Sequence, residues 1–226
     1  MSSFLRQVRL LLQKEFRLEW RSRERIAMMF FFAFLSLAVF GLALQLPPSV
    51  QKQVLPGILW VTLAFAGTLG MGRMYASELE DDALDGIRMS PVSREALFLS
   101  KQLSLFVFLL SCAIWAVPVS ALMFQVELKE MIPGTLPFFL LGMWGFSILG
   151  SLMATVLLHS RFREALLPLL FLPVALPLLI AGARATGELL GVGGVPQPNF
   201  WWRAMLFFDV GFFVLGLWLF PIQFDG

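Results

Sequence analysis

QLSLFVFLLSCAIWAVPVSALMFQV, residues Gln102 to Val126, runs for 25 residues without a charged side chain. As an α-helix rising about 1.5 Å per residue, it is longer than the roughly 30 Å of hydrocarbon in a bilayer. An open strand there would leave its backbone groups without partners. Five more stretches read the same way: Ile26 to Leu46, Gln53 to Gly72, Met131 to Leu158, Ala165 to Ala183, and Ala204 to Phe224, the last interrupted only by Asp209. The pattern predicts an all-α membrane protein with six transmembrane helices, placed at about 26–46, 53–72, 102–126, 134–158, 165–183 and 204–224.

Composition agrees with this reading. Of 226 residues, 58% are hydrophobic and 14% charged, against about 25% charged in a soluble domain. Six spans leave room only for loops and termini, so 1–226 reads as a single membrane domain. Lys and Arg set the expected orientation. Thirteen of the 17 lie in the N-terminal segment and the second and fourth connections, and only Lys52, Lys129, Arg184 and Arg203 lie in the others. Positive charge stays in the cytoplasm, so both termini are expected there.

Residues 1–25 are too long and too basic for a signal-peptide start, and no cleavage is expected. Phe4, Leu5, Val8, Leu11, Leu12, Phe16, Leu18 and Trp20 share one helical face, opposite Arg6, Lys14, Arg17, Arg21 and Arg25. That is the pattern of an interfacial amphipathic helix on the cytoplasmic side. Glu15 and Glu19 fall in the middle of the apolar face. A face turned only to lipid would exclude them, so part of it is expected to meet protein or water.

The connection 73–101 is the long cytoplasmic loop. Glu78, Asp81, Asp82 and Asp85 are spaced i, i+3, i+4, i+7, one stripe of a helix, with Tyr75, Leu79 and Ala83 on a second stripe. Gly86 can end that helix, and Ser90-Pro91 can start the next. A short cytoplasmic helix between spans 2 and 3 is therefore expected. Its acidic stripe is either a solvated face or the grip for a soluble partner.

Several chemistries are disfavoured. Cys112 is the sole cysteine and His159 the sole histidine, so neither a disulfide nor a His-rich metal site can be built within the chain. No lysine follows a glycine, so the G-K-[ST] end of a phosphate-binding loop is missing, and any ATP must be handled by another subunit. Asp82-Ala-Leu-Asp85-Gly86 resembles the D-x-x-D-G start of the CDP-alcohol phosphotransferases, but the rest of that pattern does not follow.

The segments Pro56-Gly57-Ile58-Leu59-Trp60-Val61, Glu80-Asp81, Leu84-Asp85-Gly86-Ile87, Ser90-Pro91 and Leu99-Ser100-Lys101 resemble the haem exporter protein B (CcmB) family of ABC-2 type permeases. Phe16-Arg17-Leu18-Glu19 with Arg23-Glu24, and the proline-rich Leu172 to Ile180, are similar to the same family. The likeness covers roughly Phe16 to Ala183 and fades beyond Gly193.

This resemblance implies a non-catalytic permease subunit in a bacterial cytoplasmic (inner) membrane. It would pair with a second copy of itself and with a CcmA-like ABC ATPase, beside CcmC-like and CcmD-like subunits and a CcmE-like haem chaperone. ATP would be used by the partner and haem handled by the complex, with no cofactor bound by this chain alone and no nucleic acid involved. The coupling helix would then hold Glu78, Glu80, Asp81, Asp82, Asp85, Arg88, Ser90 and Pro91, with Arg17, Glu19 and Arg23 on the interfacial helix. Alternatives are a permease of another ABC-2 exporter, carrying lipid or drug, and an intramembrane phosphotransferase.

Four further features are open to two readings. Pro168, Pro173 and Pro177 should kink or break the fifth span, as packing or as a hinge. Gly67, Gly70 and Gly72, with Gly150 and Ala154, permit close helix contact in the bundle interior or at a dimer seam. Trp201-Trp202 reads as an interfacial aromatic belt or a haem contact. Asp209, about five residues into its span, should face protein or water or lie shallow enough to reach the interface, with Arg184 or, only partly, Arg203 as possible partners.

Overall fold

A computed structural model describes residues 2–44, 46–79, 92–157, 160, 162–192 and 197–225. Seven helices account for nearly all of them: α1 (Ser2–Ser22), α2 (Glu24–Leu44), α3 (Pro48–Leu79), α4 (Arg94–Met123), α5 (Leu128–Val156), α6 (Arg163–Leu189) and α7 (Pro198–Asp225). Helices α2 to α7 each contain a segment long and apolar enough to cross a membrane. The chain is an all-α, multi-pass membrane protein.

Central positions belong to α3 and α5, whose membrane segments are mostly buried, while α2 and α7 are mostly exposed along theirs. α5 packs against α4, α6 and α7; α3 packs against α2, α4 and α6. Glycines make these approaches possible. A Cβ at Gly142 or Gly182 would run into the Trp60 ring, one at Gly70 into Met29, and one at Gly150 into Met71. Gly67, Gly70 and Gly150 therefore face the bundle interior, whereas a Cβ at Gly72 would meet nothing. Small residues let helices close in where lipid supplies no hydrophobic drive between them.

Trp60 of α3 fills the space those glycines leave. Its ring stacks on Phe139 at 5.3 Å and 9°, meets Phe146 edge-on at 6.1 Å, and donates its Nε1 hydrogen to Thr186 Oγ1 at 3.0 Å. One fully buried side chain thus joins α3, α5 and α6 and leaves its own polar atom satisfied.

Two sequence expectations are corrected by the helix boundaries. Arg25 belongs to α2 and not to the polar face of the first helix, because the chain turns at Arg23, whose φ is 54°. The Arg23 N–H donates to the Glu19 carbonyl at 2.7 Å, closing α1 in the left-handed manner usual at helix ends. Likewise, α7 begins at Pro198, so Asp209 lies 11 residues from its start, about 16 Å along the axis. It sits near mid-depth and not close to a surface.

The proline-rich helix shows no break. α6 runs unbroken from Arg163 to Leu189 through Pro168, Pro173 and Pro177. Pro173 and Pro177 lie on its exposed side. A helix in a bilayer tolerates the donors they remove when the carbonyls are satisfied locally.

Candidate functional site

α1 lies across the ends of α2 and α4, and its buried side is not its most apolar one. Leu5, Leu10, Leu18 and Trp20 are exposed, whereas Val8, Glu15 and Glu19 are buried. Spacings of seven and four residues put these three on one face. The two carboxylates, each 3% exposed, turn inward because two cations wait there.

Lys101, on the third turn of α4, places Nζ 2.7 Å from Glu15 Oε1. Arg25, at the start of α2, places Nη2 3.8 Å from Glu15 Oε2 and Nε 3.3 Å from Glu19 Oε2. Among the described residues, these two carboxylates and two cations sum to zero charge, which favours burial of the group. The Arg25 guanidinium also lies 4.8 Å from the centre of the Phe108 ring, and Phe16 meets the same ring edge-on at 5.5 Å.

Glu19 has a second task. Its Oε1 accepts the Ile26 N–H at 2.9 Å, so a side chain from α1 caps the first turn of α2 and sets a negative charge at the positive end of that helix. Arg25 is less completely served: Nε and Nη1 lie near carboxylates or the ring but complete no aligned hydrogen bond. The cluster thus clamps three helices together while keeping unused donor capacity.

Of the residues singled out from sequence, Glu19 is in this clamp. Arg17 is exposed on α1, and Arg23 is exposed with its guanidinium 5.5 Å from the Trp20 ring. Glu78 is in the last turn of α3, with its side chain outside the description, and Glu80, Asp81, Asp82, Asp85, Arg88, Ser90 and Pro91 lie outside the described residues, as does His159. α4 begins at Arg94, through an N-cap in which Ser93 Oγ accepts the Ala96 N–H at 3.3 Å. Lys101 is seven residues further on, about 10 Å along the axis.

Lys101 and Arg25 were missed as site residues because each lay at the edge of an apolar stretch, where a boundary charge is ordinary. The signal was present in the two glutamates on an apolar face, which require buried cations of equal number.

The profile of the CcmB protein family matches residues 6–222, a range that contains all six spans. The chain belongs to the CcmB protein family. It is 31% identical over 198 residues to "Heme exporter protein B" of Pseudomonas aeruginosa, covering 87% of both chains. It is 29% identical to the protein of that name from Rhodobacter capsulatus, over 78% of this chain and 81% of that one. For Paracoccus denitrificans the figures are 30%, 71% and 72%.

In this CcmB-family chain, among the described residues, no group of three or more His, Cys, Asp or Glu is placed to hold a metal ion. Trp201 donates its Nε1 hydrogen to Glu188 Oε1 at 2.7 Å, and Trp202 packs edge-on against Phe138 at 6.1 Å. Asp209 is 2% exposed, with one oxygen against the Gly145 backbone position, beside Leu178, and neither oxygen completes a hydrogen bond. Arg184 and Arg203 are exposed, and neither pairs with it.

Asp209 therefore does not stabilise the bundle as a member of an ion pair. Asp209→Asn, which keeps the shape and removes the formal charge, should accumulate at the wild-type level and unfold at equal or higher denaturant concentration. A loss of about 1–3 kcal/mol would mean that the carboxylate serves as a bonded acceptor after all.

Proposed function

We propose that this chain is the membrane permease subunit of an ATP-driven haem exporter acting in cytochrome c maturation. One observation carries the reading: a relative named Heme exporter protein B aligns with it across 87% of both chains, and the family match takes in every span. Likeness of this extent concerns the whole permease body and not a shared local motif.

In this reading the chain is non-catalytic. A CcmA-like ATPase docks on the segment between α3 and α4, and its ATP cycle drives the permease, which works as a pair of copies beside CcmC-like and CcmD-like subunits. The ATP cycle is linked to release of a haem-loaded, CcmE-like chaperone. The charge clamp supports a mechanical part of this scheme. A displacement of that segment enters α4, and Lys101 passes it to α1 and, through Arg25 and Glu19, to α2. Rigid elements joined at a buried, balanced cluster move together.

The orientation belongs to the same proposal: α1 and the ends near it lie in the cytoplasm, in the inner membrane of a bacterium. Cysteines at Ser49 and Gln197 should react with an impermeant thiol reagent added from the periplasm, and one at Glu95 should not. Labelling at Glu95 from the periplasm would invert the scheme and remove the ATPase from that face.

The decisive test is co-expression with the candidate subunits, followed by mass spectrometry of what co-purifies and by measurement of covalent haem on cytochrome c in a strain lacking the chain. Retention of the ATPase and restored maturation are expected. Retention of an ATPase with no effect on maturation would instead indicate an ABC-2 exporter for another substrate.

A further inference from the structure

At the end of the bundle opposite α1, a cavity of about 470 Å³ opens between α3 and α6. Its size is that of a small-molecule pocket, for which roughly 300–1,000 Å³ is usual. Gln53, Pro56 and Gly57 form one wall, and Ile180, Arg184 and Glu188 the other. We propose that this cavity binds the headgroup of a zwitterionic phospholipid with a primary ammonium.

The charges require an occupant of both signs. Arg184 and Glu188 are one helical turn apart on the same face, yet they form no ion pair. Arg184 is exposed and completes no hydrogen bond or ion pair. Glu188 is held elsewhere: Oε1 accepts from Trp201 Nε1 and Oε2 from the Gln197 N–H, both at 2.7 Å. Each oxygen keeps lone-pair capacity for another donor. The carboxylate is thus fixed in place, and the guanidinium is free to take a phosphate in its planar fork.

Depth selects a lipid. The cavity lies within the last turns of α6 and the second and third turns of α3, where helix ends meet headgroups. Trp201, hydrogen-bonded to its rim, is the type of residue that settles at that level. Below it, Leu176 and Ile180 are half-exposed on the outer side of α6, a track for acyl chains. Phosphate on Arg184 places the ammonium toward Glu188, where its N–H groups can donate. A trimethylated ammonium has none to offer.

Gly57 supplies a clean test. A Cβ there meets nothing within 4 Å, so a side chain can start from this wall without a clash at its first atom, and a bulky one is expected to take up cavity space. The full-length chain would be placed in discs containing phosphatidylethanolamine, phosphatidylcholine and phosphatidylglycerol in equal parts, then released for native mass spectrometry. Phosphatidylethanolamine should be retained over phosphatidylcholine by about tenfold, the effect of one charge-assisted hydrogen bond. Glu188→Gln should erase that preference, Arg184→Gln should release both lipids, and Gly57→Phe should release both while melting like the wild type in lipid-free detergent. Equal retention of all three lipids, a preference for phosphatidylglycerol, or undiminished retention by Gly57→Phe would each overturn the proposal.

Discussion

Lys101→Met will destabilise the protein by about 3–5 kcal/mol, the cost of removing one partner from a buried charge group. Glu15 would lose its 2.7 Å contact, and Arg25 alone would face two carboxylates in a site almost closed to water. The methionine is close in volume to the lysine stem, so packing changes little and the loss is electrostatic. The double variant Glu15→Gln/Lys101→Met tests this directly, since it restores neutrality and leaves Arg25 with Glu19. Most of the stability should return in the double variant, as read by equilibrium unfolding in detergent. If the double loses the sum of the two single effects, the cluster is not a charge-balanced unit and α1 is held by its apolar contacts.

The second large effect, on the proposed docking of an ATPase, lies on the acidic stripe that begins in the last turn of α3. Reversing Glu78, Asp81, Asp82 and Asp85 together to Lys should leave insertion and folding intact, abolish co-purification of the ATPase and stop cytochrome c maturation. Single neutralisations should be mild, because an exposed pair is worth about 0–1 kcal/mol. Four reversals differ in kind, since they set like charges against each other across the contact. Charge reversals on the ATPase should restore part of the binding. An ATPase retained at wild-type stoichiometry by the quadruple variant would assign the stripe to solvent and shift the docking surface to α1, around Arg17.

Both effects concern charge, and the two clusters differ in how far they could be read beforehand. The acidic stripe is a pattern of regular spacing in the sequence, and of its four residues only the backbone of Glu78 lies among the described ones. The clamp was visible only in half. Glu15 and Glu19 stood out as carboxylates on an apolar face, but the cations come from other helices, Arg25 and Lys101 lying 10 and 86 residues from Glu15 along the chain. Spacing rules describe neighbours on one helix, and contacts at such separations depend on how helices lie against one another. The same limit applied to Asp209: counting from the last charge set it near a surface, whereas α7 starts six residues before Ala204, with Asn199 and the Trp pair inside the helix.

Helix number, helix type and membrane residence followed from local chemistry, because a backbone in hydrocarbon has to bond within its own segment and about 20 apolar residues suffice to cross. Each of those conditions is met or failed within one stretch of chain. Tertiary structure alone decided which faces meet: Trp60 seated on Gly142 and Gly182, Arg25 and Lys101 brought to one pair of glutamates, and Asp209 left at mid-depth without a partner. These outcomes depend on the mutual fit of side chains from separate helices, all equally apolar to the lipid around them. Hydrophobicity cannot rank those pairings, and close packing and charge balance can.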